Sequence, residues 1–283
     1  MAREKLNDLT GKEWVKLSKS VWIDNNQLGK FTEVDLQCGV LASTAPKRDE
    51  LKKMHPATFS EEDIKKLILF FTKKGEIVLD PFIGSGSTAI ASIQTGRKCI
   101  GFELYEKWYS IAVERVKKTG LFNKDVSLKL TTAIEGLKHL EDESIDLILT
   151  SPPYWGILKK VDHKAKRERV YLDLETDYGN HPEDLSNKKT YEEFLSDLEV
   201  HFKEFYRVIK REKYAVVIVS DFRHRSKYYM FHADVGILLE KTGFVLHGLI
   251  NLVQNSKNLY PYGYPTSFVP NICNQFAVCA VKP

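Results

Sequence analysis

Helix and strand patterns alternate along most of the 283-residue chain, which predicts an α/β, Rossmann-like fold. The expected core is a mainly parallel seven-stranded sheet with helices on both faces. Three observations predict it. From about residue 60, apolar runs of period two alternate with runs of period near 3.6. A glycine-rich turn joins the first of those strands to its helix, and the last two strands have no helical pattern between them. The final strand is therefore expected to run antiparallel.

The elements follow in order. Ser60-Glu-Glu-Asp63 resembles a capping box with aspartate in place of glutamate, and Ile64, Leu67, Ile68 and Phe71 recur behind it at helical spacing. Gly75 is expected to close that helix. Ile77 to Asp80 reads as a strand, Thr88 to Thr95 as a helix, Cys99 to Glu103 as a strand and Tyr105 to Lys118 as a helix. Val126 to Leu130 and Ile145 to Thr150 are the third and fourth strands. The segment Lys159 to Asn187 is polar and without period, which suits a surface loop near a site. Tyr191 to Lys210 is an amphipathic helix carrying Phe194, Leu198, Phe202, Phe205 and Ile209 on one side. Tyr214 to Ser220 is a strand, Phe231 to Thr242 a helix, and Val245 to Leu252 and Phe276 to Val281 the last two strands. Residues 1–55 are less regular and are expected as an extension packed on a core of residues 56–283, with a substrate-facing loop at about 156–190.

Composition narrows the class. A hydrophobic content of 43% suits a globular core, and a net charge of +4 is a mild bias toward polyanions. Apolar runs such as Ala215 to Val219 are too short to span a bilayer, so a soluble, cytoplasmic protein without membrane contact is expected. Cys38, Cys99, Cys273 and Cys279 form neither a CxxC pair nor a metal-like cluster, so reduced thiols and no metal centre are expected.

Asp80-Pro-Phe-Ile-Gly84-Ser-Gly86-Ser-Thr-Ala89 sits where open α/β sheets bind ligands, between a strand end and a helix. Gly84, Gly86 and Ala89 satisfy G-x-G-x-x-A, and Glu103 follows at the end of the next strand. That pattern also describes an NAD-dependent oxidoreductase, which stands as a rival. Asp80 separates the two readings, because a carboxylate before the glycines repels a pyrophosphate and welcomes a cation. S-adenosylmethionine carries a sulfonium and an ammonium group, and its ribose diol suits an acid such as Glu103.

With Thr150-Ser-Pro-Pro-Tyr-Trp155, the chain resembles the amino-methyltransferases of nucleic acids in their cytosine-N4 form. His55-Pro-Ala-Thr-Phe59 and Gly96-Arg-Lys-Cys-Ile-Gly-Phe-Glu103 extend the likeness across roughly residues 55 to 155. The resemblance implies a class I methyltransferase fold over residues 56–283, with S-adenosylmethionine as cofactor. It implies cofactor contacts from His55, Asp80, Pro81, Phe82, Gly84, Ser85, Gly86, Ser87, Thr88, Glu103, Leu104 and Thr132. Many relatives place an acid for the cofactor adenine after the third strand; here Leu130-Thr-Thr-Ala-Ile134 has none, and Thr132 and Glu135 are the alternatives.

The catalytic group implied is Ser151, Pro152, Pro153 and Tyr154. An exocyclic amine is a poor nucleophile because its lone pair is conjugated with the ring. Ser151 Oγ and the Pro152 carbonyl are suitable acceptors for its hydrogens, held by two prolines whose φ is fixed. Tyr154 would stack on a base that is flipped out or unpaired. Adenine-N6 relatives usually carry Asp or Asn where Ser151 stands, so serine favours cytosine. Contacts to the nucleic acid are expected from Trp155, Lys159, Lys160, Arg223, Arg225 and Tyr262, basic residues interleaved with aromatics. Asp221, at another strand end, is a further pocket candidate. DNA is the favoured substrate, in a restriction-modification setting; structured RNA such as rRNA is the alternative, adenine-N6 methylation a weaker one, and a homodimer is left open.

Overall fold

The computed structural model describes residues 5–17, 21–24, 40–43, 60–120, 125–156, 181–224, 227–254, 259, 260, 262 and 266–283. Helix α1 (Gly11–Leu17) and strands β1 (Val21–Asp24) and β2 (Val40–Ser43) come first. The core then runs α2 (Glu61–Phe71), β3 (Ile77–Asp80), α3 (Ser87–Gln94), β4 (Lys98–Glu103), α4 (Glu106–Lys118), β5 (Val126–Leu130), α5 (Ala133–Lys138) and β6 (Ile145–Thr150). It continues through α6 (Tyr191–Val208), β7 (Ile209–Val219), β8 (Phe222–His224), β9 (Lys227–Tyr229), α7 (Phe231–Lys241), β10 (Val245–Val253) and β11 (Asn274–Val281).

Nine strands form one sheet in the order β2-β1-β10-β11-β7-β6-β3-β4-β5. The seven from β5 to β10 make the sheet the sequence predicts, and β1 and β2 lengthen it beyond β10. β11 pairs antiparallel with both β7 and β10, as the missing crossover helix requires. β8 and β9 form a separate hairpin.

Burial explains why the central strands read as continuous apolar runs. All six residues of β6 are buried, because a parallel strand in mid-sheet is covered on both faces. Ala215, Val217 and Val219 of β7 pack with Leu137, Phe194, Leu198, Phe202 and Phe205 under α5 and α6. Val216 and Ile218 point the other way, onto Ile64, Leu67, Ile68 and Phe71 of α2. Among the described residues no helix is long and apolar enough to cross a membrane.

Two boundaries differ from expectation. The Ser60 hydroxyl accepts from Asp63 N as predicted, but α2 stops at Thr72, whose backbone is extended and whose hydroxyl donates to the Ile68 carbonyl. Gly75, in the left-handed region at φ 84°, serves the following turn, where its N–H meets the Gly96 carbonyl. β7 starts at Ile209, immediately after α6. The spacing Phe202, Phe205, Ile209 fits a helix, but the same buried residue also fits the start of a strand, and tertiary packing decides.

Candidate active site

The carboxyl ends of β4, β3, β6 and β7 lie side by side and carry Glu103, Asp80, Thr150 and Ser220. Thr150 donates its hydroxyl to Asp80 Oδ1 at 2.6 Å, and Phe82 N donates to the same oxygen at 3.1 Å. This bond ties the residue before Ser151 to the first residue of the glycine turn. Burial pushes the Asp80 carboxyl up to about 6, against the hydrogen bonds from Thr150, Thr88 and Phe82.

Glu103 is a second buried carboxylate. Its Oε2 accepts from Gly84 N at 3.0 Å, and its Oε1 from Leu104 N at 2.9 Å and Tyr105 N at 3.0 Å. Burial raises it to about 7, opposed by those three amides. Among the described residues neither Asp80 nor Glu103 is paired with a lysine or arginine. Gly86, which caps α3, has φ 83°, and a Cβ there would sit 3.1 Å from the Ala112 Cβ and 3.2 Å from its Cα. Glycine is required at that position by backbone and by contact alike. Ser87 Oγ is buried and has no hydrogen-bond partner among the described residues.

These ends open on a cavity of about 390 Å³. Its wall includes Asp80, Pro81, Phe82, Gly84, Ser85, Ser87, Thr88, Glu103, Leu104 and Thr132, and continues through Ser151, Pro152, Pro153 and Tyr154. The structure thus brings together both motifs. Gly86 supports the turn from behind. His55, Lys159, Lys160 and Arg225 lie outside the described residues.

Tyr154 is half-buried; its hydroxyl accepts from Ser220 N at 2.8 Å, and its ring meets Phe222 and Phe231 edge-on. Burial pushes its phenol up to about 12. Trp155 departs from expectation. It is buried, its indole N–H donates to the Lys188 carbonyl at 2.9 Å, and its ring packs on His224 and Tyr191, so among the described residues it anchors the loop after β6 by packing. Asp221 does not reach the cavity either. It accepts from the Tyr228 hydroxyl at 2.9 Å and sits 2.6 Å from His232 Nδ1, fastening the β8–β9 hairpin to α7. Arg223 donates to the Pro270 carbonyl and lies over the Tyr228 ring, while Tyr262 is exposed beside Tyr260.

The cavity also has a wall that sequence reasoning missed. Asp184 and Lys188 precede α6, and Asp197 and His201 lie on it. Asp184 accepts from the Tyr105 hydroxyl at 2.8 Å and so fixes its segment against the end of β4. Nothing in the periodless run before residue 187 marks Asp184. His201 did carry a signal, because it is a polar residue inside the apolar stripe of α6. Glu135 is exposed, paired with Lys138 at 2.8 Å, and takes no part in the wall.

Fold and cavity define a class: an α/β protein with a small-molecule cavity at the carboxyl edge of a Rossmann-like sheet. The chain belongs to the DNA methylase family of N6 and N4 methyltransferases, whose model matches residues 3–114 and 145–268. The orphan methyltransferase M.BamHII of Bacillus amyloliquefaciens is 40% identical over 76 residues, 27% of this chain and 29% of that protein. The type II methyltransferase M.Cfr9I of Citrobacter freundii is 44% identical over 63 residues, 22% of this chain and 21% of its own length. The DNA adenine methyltransferase YhdJ of Escherichia coli K12 is 39% identical over 62 residues, with the same coverage. The chain spans about a third or less of the length of the curated relatives it matches. Among solved structures, a precorrin-6y C5,15-methyltransferase from Geobacter metallireducens is 15% identical, covers 84% of this chain and 94% of its own, and superposes with a TM-score of 0.49.

The cofactor is S-adenosylmethionine. The residues fit it on three counts. The cavity has the volume of a small-molecule site. Among the described residues two buried carboxylates lack a paired cation, and the buried Ser87 hydroxyl lacks a partner.

Proposed function

We propose that the chain methylates the exocyclic N4 amine of cytosine in DNA, in the cytoplasm, as the modifying activity of a restriction-modification pair. The observation that carries this reading is the Thr150 to Asp80 hydrogen bond, which seats Ser151 and its two prolines beside the cofactor carboxylate in one cavity. Asp80 and Glu103 would hold the cofactor, whose sulfonium supplies an electrophilic methyl group.

Ser151 Oγ and the Pro152 carbonyl accept the hydrogens of the target amine and turn its lone pair out of conjugation. Pro152 and Pro153 fix the carbonyl direction before substrate arrives, so little ordering entropy is lost at the reacting centre. The Tyr154 ring, braced by Phe222 and Phe231, supports the extruded base. Serine at position 151, where adenine-specific relatives carry Asp or Asn, supports cytosine. Arg223, Lys227, Tyr228 and the exposed Phe268 form a basic and aromatic surface around the hairpin, suited to phosphate contact and stacking.

The test is transfer of a radiolabelled methyl group to DNA and to total RNA side by side, followed by nucleoside analysis. Label in N4-methyldeoxycytidine is expected. Label in N6-methyladenine would overturn the serine argument, and label confined to RNA would overturn the choice of polymer.

A further inference from the structure

The cofactor assignment leaves one donor of S-adenosylmethionine without a partner from the motifs: the exocyclic amine of its adenine. No carboxylate follows β5 in the cavity wall, which reads Thr132, Ala133, Ile134 there. A neighbouring helix closes that gap. α6 runs beside α5, with Leu198 and Phe202 packed in one cluster with Leu137 and with Arg207 donating to the Leu137 carbonyl. From α6, His201 lines the same cavity as Thr132 to Ile134.

The protonation of His201 follows from its contacts. Its Nδ1 lies 2.8 Å from the Asp197 carbonyl, one turn earlier on the helix. A peptide carbonyl only accepts, so Nδ1 carries the proton. The ring is buried, and burial, assisted by the nearby Lys188, holds its pKa below the ordinary histidine value, against the Asp197 carbonyl and the charges of Asp197 and Glu183. Nε2 is then an unprotonated acceptor, and the hydrogen bond that His201 makes among the described residues is the one at Nδ1.

We infer that His201 Nε2 accepts a hydrogen bond from the adenine amine of the cofactor, in place of the acid that β5 lacks. The inference rests on the cofactor assignment above. Asp197 also lines the wall, but its carboxylate is held by Lys188 and its side chain is 42% exposed, so it is the weaker acceptor.

The test is calorimetry on the full chain with S-adenosylhomocysteine and with S-inosylhomocysteine, whose 6-oxo group sets lone pair against lone pair. The wild type should prefer the adenosine ligand by ~10-fold or more. His201→Leu should weaken S-adenosylhomocysteine by a similar factor and bind both ligands alike. His201→Gln, which keeps an acceptor oxygen, should retain part of the preference, and circular dichroism verifies that each variant is folded. A full preference in His201→Leu, or its abolition in Asp197→Asn, would overturn the inference alone. Failure of the wild type to bind S-adenosylhomocysteine would overturn the cofactor assignment and this inference with it.

Discussion

The two halves of the ligand edge are built differently. At β3 and β4 the polar groups are locked to the main chain: Glu103 binds three amides, and Asp80 binds an amide and the Thr150 hydroxyl. Around β7, β10 and the β8–β9 hairpin the groups of the same edge are side chains over side chains. Arg223 lies on Tyr228 and Lys227 on Tyr229, with Tyr228, Met230 and Phe268 open to solvent. A small cofactor of constant shape rewards a rigid socket. A polymer must be admitted, bent and released, which rewards an adaptable surface.

Substitutions on the two sides should therefore differ in kind and in size. The largest effect is expected from Asp80→Ala, which removes a buried carboxylate together with the tie to Thr150. Calorimetry should show a loss of about 3 kcal/mol in cofactor affinity; binding near the wild-type level would erase the distinction between the halves. Next comes Ser151→Ala, expected to lower kcat by ~100-fold with cofactor affinity unchanged, measured in single-turnover methyl transfer.

Gly86→Ala should destabilise the fold by about 2 kcal/mol, since it forces a side chain into a left-handed backbone and against Ala112. Thermal unfolding reads this directly. Smallest are Phe268→Ala and Arg223→Ala. They should raise KM for DNA a few-fold without touching cofactor binding, and a change in cofactor affinity would show that the halves are not separate.

The socket also predicts a pH signature. Asp80 and Glu103 titrate near 6 and 7 in the fold against ordinary values of 3.8 and 4.5, so the folded chain holds more protons than the unfolded chain between about pH 4 and 7. Their contribution to stability is complete below pH 4 and is lost as pH rises through 6 and 7. A cationic ligand favours the charged carboxylates. Between pH 5.5 and 8 the melting temperature of the ligand-free chain should fall while its affinity for S-adenosylmethionine rises. Parallel trends would show that the two carboxylates take no part in holding the cofactor.

The same contrast decides what could be read from the chain. The socket is local: Asp80 to Thr88 lie within one strand–turn–helix, and each residue type there has a backbone or charge reason. Likewise the burial of Ile145, Leu147, Ile148 and Leu149 in β6 and the antiparallel β11 follow from a hydrophobic run and the absence of a helical pattern between the last two strands. Contacts between distant segments left no such trace. Trp155 looked like a platform because two adjacent rings after two prolines fit a stacking loop, yet burial against His224 and Tyr191, far along the chain, makes it an anchor. Asp221 sat at the right strand end, and only the pairing of β8 with β9 turned it toward Tyr228 and His232.

The position of β11 has a consequence for synthesis. β7 and β10 are not neighbours: β7 is seated on β6, whereas β10 reaches the core only through β11, which is made after both. Until β11 is made, the edge of β7 opposite β6, along Ala215 to Val219, stays open, and β10, with β1 and β2 behind it, has no seat on the core. The nascent chain therefore carries an aggregation-prone strand edge until β11 is available, and completion of the sheet waits on a contact of long sequence separation.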